Sequence, residues 1–554
     1  VPERKRMGRV KSVVAKANKR LSVQLAAALL ASSSLISALL GLFRDRLLNS
    51  TYFDTYPVGI DAYTVAFTIP DFMFFLLVSG ALSVTFIPVF NNRLVNGNKK
   101  SAWELSTSLI NFMAIITLIT SVLIMIFAEP LVQYVVGPGL DEQGRGLAVS
   151  MMRVIAINPF LFAIASVIAS MQQAVGRFTF YALAPTIYNI GIIIGITVFS
   201  NGITIFGYQI FEGGIMGVAL GVVLGSIMQL IVSSIGLIGL GFDYRFKIFW
   251  KNRGFRQVLR LLPARSFDQG MDYLNSIVET NLASRMVAGT VRAYQQATTL
   301  HMVPVTLIGV AISTAAFPKM TERMSQGRPD LFKKELQAVL RVIIWLALPV
   351  AIITYFTRGY LVHFIKNGGE LVIAGILGVL AIAILFRSIY HIAARSFYAQ
   401  QDTKTPLYIS FATIGLNILL AILFTMHFDM GPQGLAWAQS IVAFIEVVVL
   451  FYVMSRRIPD LFDKYFVSAV LRMMSATGLM AIVTYISVKI FELNSGDKSF
   501  LAAFPKFALV SIISLGAYVV FSRLLKLHEV NPILSRLRQF FFKEYRSKPP
   551  TTKD

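Results

Sequence analysis

Apolar residues run along this chain in blocks of about twenty, set apart by short polar stretches, from Leu21 nearly to its end. A block of that length crosses roughly 30 Å of hydrocarbon as a helix. Fourteen such blocks are legible, near 22–43, 60–90, 104–127, 149–173, 181–200, 213–240, 257–284, 293–317, 333–356, 371–396, 406–427, 433–454, 466–490 and 501–522. The pattern predicts an all-α polytopic membrane protein of about fourteen transmembrane helices. The first block follows a basic segment, but it is longer than a signal-peptide core and has no clear cleavage site, so it reads as an uncleaved span.

The polar stretches carry their charge unevenly. The loop after the second span holds Arg93, Lys99 and Lys100, and the stretch 243–260 holds six basic residues against one acid. The loop after span eight holds Lys319, Arg323, Arg328, Lys333 and Lys334. The alternate loops are poorer in Lys and Arg. This bias predicts an even number of spans with both termini in the cytoplasm. Arg44, Asp45 and Arg46 then lie toward the outer face. The net charge of +23 is a topology signal attracted to anionic membrane lipids, not a nucleic-acid footprint.

A second regularity is internal. Span two ends GALSVTFIPVFNNRLVNG and span eight ends GVAISTAAFPKMTERMSQG; Pro88, Arg93 and Gly97 are spaced like Pro318, Arg323 and Gly327. Gly217 and Gly434 open spans six and twelve, each with a polar residue twelve positions on, Gln229 and Glu446. Spans one to six therefore read as repeated in seven to twelve. Six is even, so the two halves share orientation and are related by an axis along the membrane normal, with a pathway between them. The expected organisation is a basic segment 1–21, an N-lobe 22–240, a basic linker 241–256, a C-lobe 257–454, two extra spans within 455–522 and a basic tail 523–554.

Several chemistries find no support. There is no cysteine, the five histidines lack metal-ligand spacing, and no phosphate-binding loop is present. The chain is expected to be neither an enzyme nor cofactor-bound. Ionisable groups inside spans are expensive and mark cavities, partners or interfaces. Those here are Arg44, Asp45, Asp61, Asp71, Arg153, Arg265, Asp268, Asp272, Glu279, Arg285, His301, Arg387, Arg395 and Glu446. Arg44 and Asp45 also fit a neutral interfacial pair, and the cations near span ends fit snorkelling. Pro70 and Gly80 in span two, and Pro304 and Gly309 in span eight, are hinge candidates and equally fit close packing of small residues.

Four stretches resemble signatures of the MurJ/MviN lipid II flippases of the MOP exporter superfamily. They are SALLGLFRDRLL, DAYTVAFTIPDF with SGALSVTFIPVF (61–90), GRFTFYALAPTIYN (176–189) and FYAQQDTKTP (397–406). The resemblance covers most of 22–520. It implies a bacterial inner-membrane flippase that moves an undecaprenyl-pyrophosphate-linked peptidoglycan precursor from inner to outer leaflet by alternating access. It implies that precursor as a partner, with cell-wall synthesis proteins beside it. It also implies that Arg44 engages the diphosphate, since a guanidinium offers a fork of donors and stays charged. The set expected around the cargo is Arg44, Asp45, Asp61, Asp71, Arg265, Arg285 and His301; Arg292 is a further candidate to replace missing cations. Glu279 and Asn417 fit a coupling-ion site. Departures from the family pattern are Phe74 and Phe75 for its Arg-Arg, Ser79 for its Glu, and Thr298 and Thr299 for its Asp-Arg. They leave open an exporter of another polyprenyl-linked glycolipid or amphipathic drug, and a non-transporting cell-wall scaffold.

Overall fold

The structure is a computed structural model that describes residues 23–78, 81–205, 208–494, 496–531 and 535. It is helical nearly throughout. Twelve helical stretches among the described residues are long and apolar enough to cross a membrane. The first and seventh expected spans are helices too, outside that twelve. The chain divides into two compact units, Val1–Gln295 with Ile365–Asn367, and Gln296–Phe364 with Gly368–Asp554.

The first unit contains α1 (Val23–Tyr52), α2 (Pro57–Leu77), α3 (Ala81–Val95), α4 (Lys99–Pro130), α5 (Glu142–Ile155), α6 (Asn158–Ala174), α7 (Thr179–Thr197), α8 (Ile215–Ile235), α9 (Arg253–Ser284) and the first turn of α10 (Thr290–Val305). Its core joins Phe86, Phe90, Leu105, Leu109, Met171 and Phe255. Two expected spans are broken. The second divides into α2 and α3, and the fourth into α5 and α6, where Pro159 near the start of α6 has no N–H to continue the ladder. The loop after α7 is helical only for a single 3-10 turn, Phe199–Asn201. It forms an antiparallel hairpin of β1 (Ile203–Ile205) and β2 (Tyr208–Phe211), which corrects the all-α expectation locally. The alternating Ile-Thr-Ile, rich in β-branched residues, suits a strand.

The second unit contains the rest of α10, α11 (Ala311–Ser325), α12 (Pro329–Ile365), α13 (Leu371–Ala399), α14 (Lys404–Ile422), α15 (Gly431–Arg457), α16 (Lys464–Ile490) and α17 (Phe500–Leu524). Its core joins Phe332, Trp345, Phe397, Met454, Met473 and Tyr518, so the last two helices pack into this unit. A wide π-helical turn, Thr306–Val310, interrupts the expected eighth span.

The repeated Pro-x4-Arg-x3-Gly spacing has a local structural meaning. Gly97 has φ +74° and Gly327 φ +66°. Asn98 N–H bonds Arg93 O at 2.9 Å, and Arg328 N–H bonds Arg323 O at 3.1 Å. Both are the same glycine-closed helix end. A helix then restarts at once, at Lys99 and at Pro329.

Helices α7 and α8 meet through glycine. A Cβ on Gly191 would lie 2.2 Å from Gly225 Cα, and one on Gly195 would lie 2.7 Å from Gly221 Cα. Backbone faces backbone there, as in small-residue membrane helix pairs. Gly221→Leu is expected to destabilise the fold by at least ~1–3 kcal/mol, the cost of overpacking. The check is thermal unfolding of detergent-purified protein, and an unchanged melting point would contradict this packing.

Candidate functional site

Arg44 and Asp45 sit on α1, about 12 Å of helix rise before its end at Tyr52. Adjacent residues on a helix diverge, yet their side chains turn back on each other here. Arg44 Nε and Nη2 donate to Asp45 Oδ1 at 3.2 and 3.0 Å. Arg44 Nη1 donates to Asn189 Oδ1 at 2.9 Å. The Asn189 amide is itself aimed, because its Nδ2 donates to Ser37 O and Pro185 O, each at 3.2 Å. Asn189 closes the stretch GRFTFYALAPTIYN, so two of the family-like motifs meet at one hydrogen bond.

A second guanidinium completes the group. Arg292, 4% exposed, lies in the first turn of α10. Its Nη2 donates to Asp45 Oδ1 at 3.2 Å, its Nε to Asn49 Oδ1 at 2.8 Å, and its Nη1 to Gln295 Oε1 at 2.8 Å. Asn49 Nδ2 donates in turn to Ile365 O at 2.9 Å. One carboxylate oxygen thus receives both arginines. Asp61 holds the backbone beneath. Its Oδ2 accepts from Gly289 N–H at 2.7 Å and its Oδ1 from Arg292 N–H at 2.8 Å. It acts as an N-cap supplied by another helix, so α2 fixes the turn that presents Arg292. Arg44 and Arg292 together exceed Asp45 by one positive charge, and Asp61, within electrostatic range of Arg292, offsets part of that from beneath. Arg44 uses three of its five N–H donors on described residues and is about a quarter exposed along its side chain, 24%. Two donors therefore remain for a ligand.

The other sequence candidates fall elsewhere. Asp71 is partly buried on α2, within electrostatic range of Tyr63 and Tyr188, as Arg44 is. Arg285 is exposed and bonds Asn281 at 3.1 Å. Glu279 is buried in the first unit. His301 is buried in the second unit, within electrostatic range of Arg387. Asn417 is buried there on α14. Pro70 is buried inside α2. Pro304 directly precedes the π-helical turn, and Gly309 within it would place a Cβ 2.6 Å from Ser388 Cα. Gly80 and the Arg265 side chain lie outside the described residues.

Where the family-like pattern loses cations, the structure has aromatic rings. Phe75 stacks on Tyr273 at 4.1 Å between centroids, and Phe74 meets Phe162 edge-on at 5.6 Å. A polar cluster that charge inside spans had flagged occupies the second unit. Glu446 is 3.5 Å from Arg387 and accepts from Ser410 and Thr413, each at 3.1 Å. Asp402, in the stretch FYAQQDTKTP, is a helix cap. Its partial burial would raise its pKa, but bonds from the Thr405 hydroxyl and N–H, and from Arg457, outweigh that and hold it at about 2. That contribution to α14 is present above the usual carboxylate range and is lost as pH falls through about 2.

A family model described as lipid II flippase MurJ matches residues 50–504. A probable lipid II flippase MurJ of Thermotoga maritima is 25% identical over 506 residues, covering 90% of this chain and 96% of that protein. A lipid II flippase MurJ of Burkholderia cenocepacia is 25% identical over 444 residues, covering 76% and 82%. Among solved structures, a lipid II flippase MurJ in an inward closed conformation superposes with a TM-score of 0.71 at 24% identity, covering 90% of this chain and 99% of that one. An inward-facing multidrug resistance MATE family transporter of the MOP superfamily superposes with a TM-score of 0.63 at 14% identity, covering 77% and 96%.

Asp45→Ala leaves the buried Arg292 without its carboxylate. The expected loss is ~3–5 kcal/mol, the cost of orphaning a buried charge, read as a lowered melting temperature. Asp45→Ala/Arg292→Met is expected to recover most of it. A single variant that melts like the native chain would contradict the shared-carboxylate arrangement.

Proposed function

We propose that this chain, which belongs to the lipid II flippase MurJ family, carries lipid II across the bacterial inner membrane, with the Arg44–Asp45–Arg292 group receiving its diphosphate. It is a multi-pass membrane transporter. The observation that carries the site assignment is the excess guanidinium: two arginines share one carboxylate oxygen, and one of them keeps free donors on an accessible edge. A diphosphate offers several acceptor oxygens, and a planar fork meets two of them at once. Asn189 and Asp45 fix the plane of Arg44 before cargo arrives, so little side-chain freedom is lost on binding. The sequence relatives share one description, and none of them favours another cargo or a scaffold.

In this reading the cargo passes from inner to outer leaflet with both termini in the cytoplasm. Bending takes place at the breaks between α2 and α3 and at the π-helical turn before α11, next to Pro304 and Gly309. The interrupted helices support this, because broken ladders bend at lower cost than continuous ones.

The test is to supply this chain to a bacterium depleted of its own lipid II flippase and to measure outer-leaflet lipid II. The native chain is expected to restore it. Arg44→Ala is expected to abolish transport at unchanged expression, and Arg44→Lys to restore it only partly, because an ammonium is a point donor. Full transport by Arg44→Ala would refute the assignment of the site, and failure of a well-expressed native chain would refute the function.

A further inference from the structure

A second feature of the first unit lies outside the cargo site. The segment 243–253, DYRFKIFWKNR, alternates aromatic and basic residues. A bias of charge for topology would need nothing more than a floppy basic loop. This one is pinned. Asn111 of α4, buried, donates to Arg245 O at 2.9 Å and Lys247 O at 3.0 Å and accepts from the Tyr244 hydroxyl at 2.6 Å. Ser108 Oγ accepts from Phe249 N–H at 2.8 Å, and Asn252 Nδ2 donates to Ser101 O at 3.0 Å. So anchored, the segment leaves two of its aromatics, Phe246 and Trp250, facing outward. Phe246 is 88% exposed and Trp250 56%. Trp250 still rests one edge on Phe255, 5.6 Å between centroids. Large rings held rigidly outward beside lysine and arginine are what a membrane–water interface accommodates.

Between this segment and the ends of α3 and α4 lies a cavity of about 1120 Å³. Arg93, Lys247, Lys251 and Arg253 line it, and its one carboxylate is Glu104. The Asn252 amide lies 3.5 Å from Glu104. Arg93 is held in an electrostatically poor place. Its Nη1 donates to Val89 O at 2.7 Å, and its guanidinium lies against the first turn of α9, where only the missing side chain of Gly254 leaves room; a Cβ there would be 2.3 Å from Arg93 Cζ. That is the positive end of a helix, which disfavours a cation. Four cations converge on one hollow with one acid among them. An anion inside it relieves their repulsion.

We propose that this cavity seats the phosphate of an anionic glycerophospholipid, with Phe246 and Trp250 set in the bilayer interface beside it. The assignment is independent of the cargo reading. Lipid rather than free phosphate is the source, because the exposed rings bring the hollow to the depth of the headgroups.

Trp250 reports directly. Full-length protein is reconstituted in neutral bilayers containing brominated phosphatidylglycerol or brominated phosphatidylcholine over the same series of mole fractions. Bromine quenching is measured, and the Trp250 part is taken as the difference from Trp250→Phe. Phosphatidylglycerol is expected to quench Trp250 at the lower mole fraction, by about fivefold for each engaged cation, from ~1 kcal/mol each. Lys247→Gln/Lys251→Gln/Arg253→Gln is expected to reduce the phosphatidylglycerol advantage to no more than the roughly fivefold that Arg93 alone supports. Glu104→Gln, which removes the single acid, is expected to widen the gap. Equal quenching by both lipids in the native chain would overturn the proposal, as would a phosphatidylglycerol advantage left undiminished by the triple change or one that shrinks in Glu104→Gln. Inorganic phosphate at matched ionic strength is expected to leave quenching unchanged; its reducing phosphatidylglycerol to the phosphatidylcholine level would assign the cavity to soluble phosphate and overturn the lipid.

Discussion

One carboxylate oxygen, Asp45 Oδ1, receives hydrogen bonds from two arginines. Almost everything about the site depends on how that oxygen is shared. Arg292 is nearly sealed from solvent, so its charge is tolerable only with Asp45 and Asn49 beside it. Arg44 is more accessible and divides its donors between Asp45 and Asn189. In the proposed reading the arrangement is neutral enough to fold and still offers a guanidinium edge to an anion. Had each arginine its own carboxylate, the group would be a closed structural bridge with no charge to offer. With no carboxylate, it would carry two desolvated cations at a cost of several kcal/mol each.

The backbone is built to hold this balance. Asp61 spends both oxygens on the N–H groups that open α10, and this ties the turn bearing Arg292 to α2. Asn189 comes from α7, whose glycines let α8 approach closely behind it. The aromatic set Phe74, Phe75, Phe162 and Tyr273 occupies ground where the family-like pattern has cations. Phe162 of this set meets Tyr188 at 5.3 Å, and Tyr188 lies within electrostatic range of Arg44.

Much of this was legible from residue order. Arg44 and Asp45 stood out because charge is costly inside an apolar run, and Asp61 for the same reason. Sequence alone did not show what Asp61 does: a carboxylate that binds a ligand and one that caps a distant helix have the same local surroundings. Arg292 was harder to place, since it sits where a span begins, 247 residues from Asp45, and a cation there usually reads as interfacial. Only its nearness to Gly289 hinted at a turn needing a cap. The glycine-closed ends at Gly97 and Gly327 explain why their spacing repeats. The hairpin at 203–211 and the π-helical turn at 306–310 were missed for opposite reasons. The first is a short alternation inside a loop counted as a mere connection. The second is as apolar as the helix it interrupts, and Pro304 was its one sign.

The proposed role of the Arg44–Asp45–Arg292 group requires that it prefer a diphosphate. Native mass spectrometry of the purified chain tests it most directly, with undecaprenyl diphosphate and undecaprenyl monophosphate competing at equal concentration. The diphosphate is expected to be retained in preference, and this preference to disappear in Arg44→Ala while the monophosphate still binds through its chain. Equal retention of the two lipids by the native protein, or an undiminished preference in Arg44→Ala, would contradict it.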